Sequence, residues 1–339
     1  MVIQQNVSLR PYTTFGIDVK AQYLVEASTE DELREALNFQ QQEGLALMIL
    51  GGGSNLLLTR DVEGFVLRNQ LKGIHSEMIS DDHIRVEAAA GENWHLFVQH
   101  CIANNWGGLE NLSLIPGNVG ASPMQNIGAY GIEIKDVFHS LRALKLSDGS
   151  IHTFNAKDCA FGYRESVFKR VLRGQYIILS VSYLLTRRNH VLNTSYGAIS
   201  QELEKMGIHN PSIADVSNAV MAIRRSKLPD PAQIGNAGSF FKNPVVENSL
   251  VEKIRSNYPN VVAYPAGEQH SKLAAGWLIE TAGWKGYRNG DAGVHALQAL
   301  VLVNYGTATG AQIWQLSQQI IDDVHTKFGV ELEREVNVY

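Results

Sequence analysis

The sequence lacks the features that stabilise secreted, metal-binding or membrane-spanning proteins. It has two cysteines in 339 residues, Cys101 and Cys159, too few for a disulfide framework or a cysteine-rich zinc site. No H-E-x-x-H or similar ligand spacing occurs among its 11 histidines, so no metal site is predicted. No apolar run reaches the roughly 18 residues that cross a bilayer, and the polar start from Met1 to Asn6 has no signal-peptide core. We therefore expect a cytoplasmic protein.

Strong charge of either sign is also missing. The net charge of −5 and the isoelectric point near 6.1 give no general signal for nucleic acid or for a charged membrane surface. Hydrophobic residues make up 45% of the chain, which suits packed cores, and the length predicts two or three domains. The expected partners are small molecules, with no nucleic acid and no membrane, and the expected state is a monomer.

Glycine, by contrast, is concentrated in two stretches. Gly51-Gly52-Gly53-Ser54-Asn55 lies between the apolar runs 45–50 and 56–58, and residues 115–131 contain four further glycines. A glycine turn leaves successive backbone N–H groups free to surround a phosphate or diphosphate. The first turn is not the dinucleotide pattern G-x-G-x-x-G, and no helix start follows it. Together the two loops indicate one large phosphate-bearing cofactor held between them.

Strand-like and helix-like patterns are mixed along the rest of the chain. Asp148-Gly149 predicts a hairpin, 176–185 a long buried strand, and 313–324 an amphipathic helix that ends at Gly329. Residues 330–336 alternate as a half-buried strand does. The order is not purely β-α-β, so the predicted class is α+β. The proline-bracketed stretch 227–231 predicts a domain boundary.

Several residues are candidates for chemistry, and the residues alone leave alternatives open. Arg164 either clamps a substrate carboxylate through two parallel hydrogen bonds or forms a surface ion pair. Ser239 follows small residues and either relays a proton or belongs to an ordinary turn. The nucleophile pattern G-x-S-x-G is absent, which disfavours a hydrolase.

Polar loops and the last predicted strand offer further candidates. Tyr196 can stack on a base or bind a diphosphate, or it is an ordinary exposed loop residue. Lys227 beside Pro-Asp-Pro suits a phosphate as a point charge, although a linker lysine usually faces solvent. Glu331, Glu333 and Glu335 share one face of the strand, and position alone does not choose among them.

Taken in order, these segments resemble one family from Thr14 to Val336. The chain is similar to the type I branch of the MurB family, whose members are UDP-N-acetylenolpyruvoylglucosamine reductases. The resemblance is carried by the following segments: 51–57 (GGGSNLL), 115–117 (IPG), 125–131 (QNIGAYG), 162–164 (GYR), 193–197 (NTSYG), 227–231 (KLPDP), 238–244 (GSFFKNP) and 332–336 (LEREV). A glycine triplet alone is a weak signal, whereas the ordered set is very specific.

The resemblance implies a fold and a domain plan. The family fold is a two-lobed FAD-binding domain of the vanillyl-alcohol-oxidase type followed by an α+β substrate-binding domain. Residues 1–71, with 336–339 returning to them, are expected to form the first lobe, 72–227 the second lobe, and 228–335 the substrate domain.

The resemblance also implies roles for individual residues. The expected catalytic trio is Arg164, Ser239 and Glu335. The expected FAD contacts are Gly51, Gly52, Gly53, Ser54, Asn55, Ile115, Pro116, Gly117, Gly120, Ser122, Asn126, Gly128 and Arg224. The expected contacts with the UDP-sugar and NADPH are Tyr130, Tyr196, Lys227, Asn243, Tyr264, Lys272 and Gln298. No histidine or cysteine occupies the glycine turn, so the FAD is expected to be non-covalent.

The implied reaction is the NADPH-dependent reduction of UDP-N-acetyl-3-O-(1-carboxyvinyl)glucosamine to UDP-N-acetylmuramate in peptidoglycan precursor synthesis. Hydride would pass from NADPH to FAD N5 and then to the enolpyruvyl carbon, with Ser239 protonating an enolate that Arg164 and Glu335 stabilise. The alternatives are an FAD-dependent alcohol oxidase of the same fold and a non-catalytic UDP-sugar or flavin binding protein. Two positions depart from the family pattern: Asn337, where arginine is common, and Asn118, where cysteine, serine or threonine is frequent.

Overall fold

The computed structural model describes residues 1–339, which form eight α-helices and twenty strands. The helices are α1 (Glu30–Gln42), α2 (Trp94–Ala103), α3 (Ala156–Cys159), α4 (Gly197–Lys205), α5 (Ile213–Lys227), α6 (Asn248–Asn257), α7 (Ala275–Thr281) and α8 (Gly310–Phe328). The strands are β1 (Gln4–Ser8), β2 (Lys20–Ala27), β3 (Leu47–Leu50), β4 (Leu56–Leu57), β5 (Val62–Asn69), β6 (Ile74–Met78), β7 (His83–Ala89), β8 (Gly128–Ala129), β9 (Ile132–Glu133), β10 (Phe138–Lys145), β11 (Ile151–Asn155), β12 (Tyr176–Thr186), β13 (Gly235–Asn236), β14 (Val245–Glu247), β15 (Ala263–Pro265), β16 (His270–Leu273), β17 (Arg288–Asn289), β18 (Ala292–Val294), β19 (Leu302–Asn304) and β20 (Asn337–Val338). No helix combines the length and the apolar character that a bilayer crossing requires.

The chain divides into two compact units. The first unit contains residues 1–7, 21–52 and 63–226, and the second contains 8–20, 53–62 and 227–339. The mixture of helices and strands confirms the predicted α+β class. The boundaries of the three predicted regions stay a prediction.

Two large sheets and the short antiparallel pair β8-β9 lie in the first unit. Strands β1-β2-β5-β3 make one sheet, in which β3 and β5 run parallel, and β11-β10-β12-β7-β6 make an antiparallel sheet. The centre of the second sheet is β12, where residues 177–183 are all buried, as the sequence predicts for a long apolar strand. The predicted hairpin is confirmed, because β10 pairs with β11 across residues 146–150.

Helix α2 packs one apolar face against the larger sheet. The Asn93 side chain accepts a hydrogen bond from Leu96 N at 3.0 Å, which caps the first turn. Trp94, Phe97 and Cys101 are buried in the core beside it. Cys101 is fully buried, and this burial raises the pKa of its thiol.

The second unit contains the antiparallel sheet β13-β19-β18-β17, the smaller sheet β14-β16-β15, and the parallel pair β20-β4. Helix α8 begins with a reciprocal capping box between Thr309 and Gln312 and ends at Gly329, whose φ is +68°. The predicted end of this helix is confirmed.

The predicted strand over 330–336 is wrong. Only Arg334 forms a bridge there, with Phe241, and the regular strand is Asn337–Val338. Lys242 N donates to Glu333 O at 2.9 Å and Glu335 N donates to Phe240 O at 2.8 Å. The segment is held by these isolated bonds to an irregular stretch. Alternation of polar and apolar residues predicts which side chains are buried. It does not show that a partner strand is present to pair with the segment.

Candidate functional site

The two glycine loops predicted to share a cofactor meet in the first unit. A Cβ added to Gly52 would lie 2.8 Å from Asn118 Oδ1 and 2.9 Å from Gly117 Cα, so only glycine fits. The N–H groups of Gly51, Gly52, Gly117 and Asn118 donate to no group of the protein. Four free donors in closely packed turns are the arrangement that binds phosphate oxygens. These residues therefore fit the diphosphate of FAD.

The remainder of the first glycine turn belongs to the second unit. Gly53 has a φ of +60°, and a Cβ there would lie 2.1 Å from Tyr12 O. Asn55 Nδ2 donates to Glu335 O at 3.3 Å, while Asn55 O accepts from Asn337 N at 3.2 Å and from Asn337 Nδ2 at 3.1 Å. The predicted cofactor residue Asn55 is thus bonded to the segment that carries Glu335, and Asn337 reinforces this contact.

Three predicted cofactor residues shape the second loop. A Cβ on Gly120 would lie 2.5 Å from the Ala90 Cβ, so this glycine permits close packing. The buried Ser122 hydroxyl lies 2.7 Å from the Tyr183 hydroxyl. Asn126 is fully buried with a φ of +48°.

Asn126 also connects this loop to the turn that carries Arg164. Its Nδ2 donates to Gly162 O at 3.0 Å and to Glu133 Oε2 at 2.8 Å. Arg164 has a φ of +53°, and its Nη2 donates to Gly128 O at 2.8 Å. The guanidinium lies 5.3 Å from the centre of the Tyr163 ring. The predicted catalytic arginine is therefore bonded to the predicted cofactor residue Gly128, and Asn126 holds the same turn through Gly162.

The predicted substrate tyrosines pack against each other. The rings of Tyr130 and Tyr196 are T-shaped with centres 5.4 Å apart. Tyr130 has a φ of +51° and interacts through its hydroxyl with the guanidinium of Arg224, whose Nε donates to Leu114 O at 3.1 Å. Burial raises the pKa of Tyr130 and lowers the pKa of Arg224. Tyr196 is half exposed and accessible to a ligand.

In the second unit, a short turn presents Ser239. The Oδ1 of the buried Asn236 accepts from Gly238 N at 3.0 Å, and Gly238 has a φ of +70°. The next residue, Ser239, is exposed. Because Glu335 N bonds to Phe240 O, the predicted proton donor and the predicted glutamate are carried on hydrogen-bonded segments.

The three glutamates that the sequence could not separate have different surroundings. The Glu333 carboxylate forms an ion pair with Lys242. Glu331 is exposed, and Glu335 is half buried. This difference favours Glu335, as the family resemblance implies.

The other predicted ligand residues of the second unit fall into two groups. Tyr264 and Lys272 lie directly opposite each other in the β15–β16 ladder, on one face of the sheet. Asn243 and Gln298 bond to the protein: Asn243 Oδ1 accepts from Ala275 N at 3.0 Å, and Gln298 Oε1 accepts from Leu300 N at 3.4 Å. Lys227 is exposed at the end of α5.

Some residues that shape the site escaped the sequence analysis. Asn236 carried a signal, because an asparagine two residues before a glycine is typical of a turn closed by its side chain. Asn111 is buried and its Nδ2 donates to Tyr130 O at 3.1 Å and to Asn193 O at 2.9 Å. His95 accepts a hydrogen bond from Leu114 N. Their partners are 19 or more residues away, so no local pattern marks Asn111 or His95.

Comparison with known proteins gives the family. Residues 230–339 match the family model of the UDP-N-acetylenolpyruvoylglucosamine reductase C-terminal domain, and residues 21–155 match an FAD binding domain. The UDP-N-acetylenolpyruvoylglucosamine reductase of Pseudomonas putida is 56% identical over 338 residues, which cover 99% of this chain and 98% of that protein. This chain belongs to the UDP-N-acetylenolpyruvoylglucosamine reductase family.

Two further members of the family are similar to this chain over its whole length. The reductase of Flavobacterium johnsoniae is 52% identical over 338 residues, covering 100% of both chains. The crystal structure of the MurB reductase of Thermus caldophilus has a TM-score of 0.68 at 25% identity, with 100% of this chain and 99% of that chain covered. The predicted family, fold class and FAD-binding oxidoreductase character are confirmed. The roles of the individual residues stay predictions.

Proposed function

We propose that this reductase uses NADPH to convert UDP-N-acetyl-3-O-(1-carboxyvinyl)glucosamine to UDP-N-acetylmuramate in the cytoplasm. The observation that carries the proposal is the exposed Ser239, presented by the Asn236–Gly238 turn on a segment bonded to that of Glu335. The backbone N–H groups of the glycine loops would hold FAD without a covalent bond. Bound FAD would supply to the substrate a hydride taken from NADPH.

The chemistry of the substrate explains the need for Arg164 and Glu335. The enolpyruvyl double bond is an electron-rich enol ether, so hydride addition is feasible only if negative charge flows into the attached carboxylate. Arg164 donates two N–H groups in a fork that matches a carboxylate. Protonated Glu335 donates one hydrogen bond to the developing enolate, and a second carboxylate charge in the same site would be unfavourable.

Ser239 completes the reduction by acting as the general acid. Hydride forms a C–H bond at the terminal carbon, and the electron pair of the double bond moves toward the α-carbon and carboxylate. The Ser239 hydroxyl then gives its proton to the α-carbon. A neutral serine is a weak acid, but an enolate carbon is a strong enough base to accept its proton.

Residues outside the reacting centre bind the remainder of the substrate. Lys227 and Tyr196 are proposed to contact the diphosphate, with the lysine as a point charge. Tyr130, Asn243, Tyr264, Lys272 and Gln298 are proposed to line the UDP-sugar and NADPH pocket. Because NADPH and the substrate would use the same face of the flavin, they are expected to react in turn.

Visible absorption of the purified protein tests this function. A flavin spectrum that NADPH bleaches, and that UDP-N-acetyl-3-O-(1-carboxyvinyl)glucosamine restores without oxygen, is the expected result. Restoration by oxygen alone would support the alcohol oxidase instead. A protein that stays colourless after FAD is added would support a UDP-sugar binding protein.

A further inference from the structure

The first turn of helix α2 is bonded repeatedly to residues 112–117, which lead into the second glycine loop. Trp94 Nε1 donates to Leu112 O at 2.9 Å, and Trp94 N donates to Gly117 O at 2.9 Å. Between these two bonds, Leu114 N donates to His95 Nδ1 at 3.0 Å. Of these three hydrogen bonds, only the one to His95 involves a side chain that can gain or lose a proton near neutral pH.

Leu114 has an unusual backbone. Its φ is +60°, a left-handed conformation that is unfavourable for a residue with a Cβ. Both of its peptide groups have a side-chain partner, because His95 accepts from its N–H and Arg224 donates to its carbonyl. The residues that follow directly are Ile115, Pro116 and Gly117.

We propose that His95 is a positioning residue for the flavin cofactor: by accepting the Leu114 N–H, it fixes the left-handed turn that aims the free N–H groups of Gly117 and Asn118 at the cofactor diphosphate. This inference rests on the proposed role of the glycine loops in holding FAD. It gives His95 no contact with the cofactor or with the substrate.

The surroundings of His95 favour the neutral ring that such a bond requires. Burial, followed by the positive charges of Arg225 and Arg224 on helix α5, lowers the pKa of His95 from its ordinary value of 6.5. The ring is therefore neutral at pH 7 with Nδ1 as an acceptor. Protonation at acid pH would place an N–H on Nδ1, facing the N–H of Leu114.

Three substitutions separate this hydrogen bond from simple packing. In His95→Asn, the side-chain oxygen reaches about as far from the main chain as Nδ1 does, so the acceptor is retained. His95→Gln moves the acceptor outward, and His95→Ala removes it. His100→Asn, on an exposed histidine of the same helix, is the matched control.

The measurement is the Kd of FAD for each apoprotein, followed by flavin fluorescence between pH 5.5 and 8. We expect His95→Ala and His95→Gln to raise the Kd about tenfold at pH 7.5, since the part-buried N–H of Leu114 would lose its acceptor. His95→Asn and His100→Asn should stay within about threefold of the wild type. The wild-type Kd should rise below pH 6.5 more steeply than that of His95→Asn, because only the histidine gains a proton there.

Other results would overturn the proposal. If His95→Ala and His95→Gln bind FAD as the wild type does, the bond does not position the loop, although the proposed function stands. If His95→Asn weakens binding as much as His95→Ala, the ring acts by packing. A wild type that binds no FAD overturns both this inference and the proposed function. If His95→Ala does not fold, the Kd values of the Asn and Gln variants and the pH dependence of the wild-type Kd still test the proposal.

Discussion

Two turns present the candidate catalytic side chains Arg164 and Ser239. The turns differ in which residue has the left-handed backbone conformation. Arg164 itself is left-handed, with a φ of +53°, and its Nη2 is bonded to Gly128 O. In the other turn, the left-handed residue is Gly238, with a φ of +70°, and Ser239 itself is not left-handed. Glycine adopts this conformation without a steric penalty, whereas an arginine does so only when surrounding contacts hold it.

The difference indicates which properties of each turn can be changed separately. The serine hydroxyl can be removed without altering the backbone that presents it. The arginine side chain both fixes its own turn and supplies the proposed chemistry, so changes there affect geometry and charge together. The following substitutions test this distinction.

The largest expected effect is that of Ser239→Ala. Loss of the proton donor should slow flavin reoxidation by the enolpyruvyl substrate by about 10²–10⁴-fold. Reduction by NADPH should stay at the wild-type rate, because that half-reaction needs no proton from serine. Stopped-flow absorbance measures both halves. Wild-type rates in both would remove the proton-donor role.

Arg164→Lys should have the next largest effect. The lysine keeps the charge but loses the planar fork, so reoxidation should slow by about 10²–10³-fold, as when one transition-state donor is removed. The control is Arg170→Lys, at an exposed arginine that pairs with Glu165, and it should leave the rates unchanged. Equal behaviour of the two variants would place Arg164 outside the chemistry.

Asn236→Asp tests the turn that presents Ser239. The Oδ1 acceptor for Gly238 N remains, but the amide donors to Pro229 O and Ile234 O are lost. Two carbonyls left facing a buried carboxylate should lower the free energy of unfolding by about 1–3 kcal/mol. Urea unfolding measures the change. Asn248→Asp, at a half-buried asparagine whose Nδ2 donates to Glu268 O, loses one amide bond instead of two and should destabilise less; equal losses in the two variants would contradict the structural role of Asn236.

Gly238→Ala should have the smallest effect on stability. No atom lies within 4 Å of the added Cβ, so the loss should reflect the left-handed backbone alone, about 1–2 kcal/mol. Gly174 has the same φ of +70° and equally open space, and Gly174→Ala should destabilise by the same amount. Only Gly238→Ala should also slow flavin reoxidation. If Gly238→Ala and Gly174→Ala reoxidise the flavin at the same rate, the backbone conformation of Gly238 is not critical for the role of Ser239.

The sequence predicted those parts of the site whose cause is local. The glycine turns, the long strand over 176–185 and the end of α8 at Gly329 follow from residue types with strong backbone or burial preferences. The left-handed Leu114 and its bond to His95 could not be predicted, because leucine gives no sign of this conformation and the partner is 19 residues away. The strand over 330–336 failed because its alternation did not specify a partner.

The bond from Asn55 Nδ2 to Glu335 O joins residues 280 positions apart. At roughly 5–20 residues per second, a ribosome makes its two ends about 14–56 s apart. The glycine turn is therefore exposed to the cell well before the segment that carries the proposed catalytic glutamate has been made. The strand Asn337–Val338 pairs with Leu56–Leu57 directly after this turn, so the hydrogen bonds that hold Asn55 form only once the last residues of the chain have been synthesised.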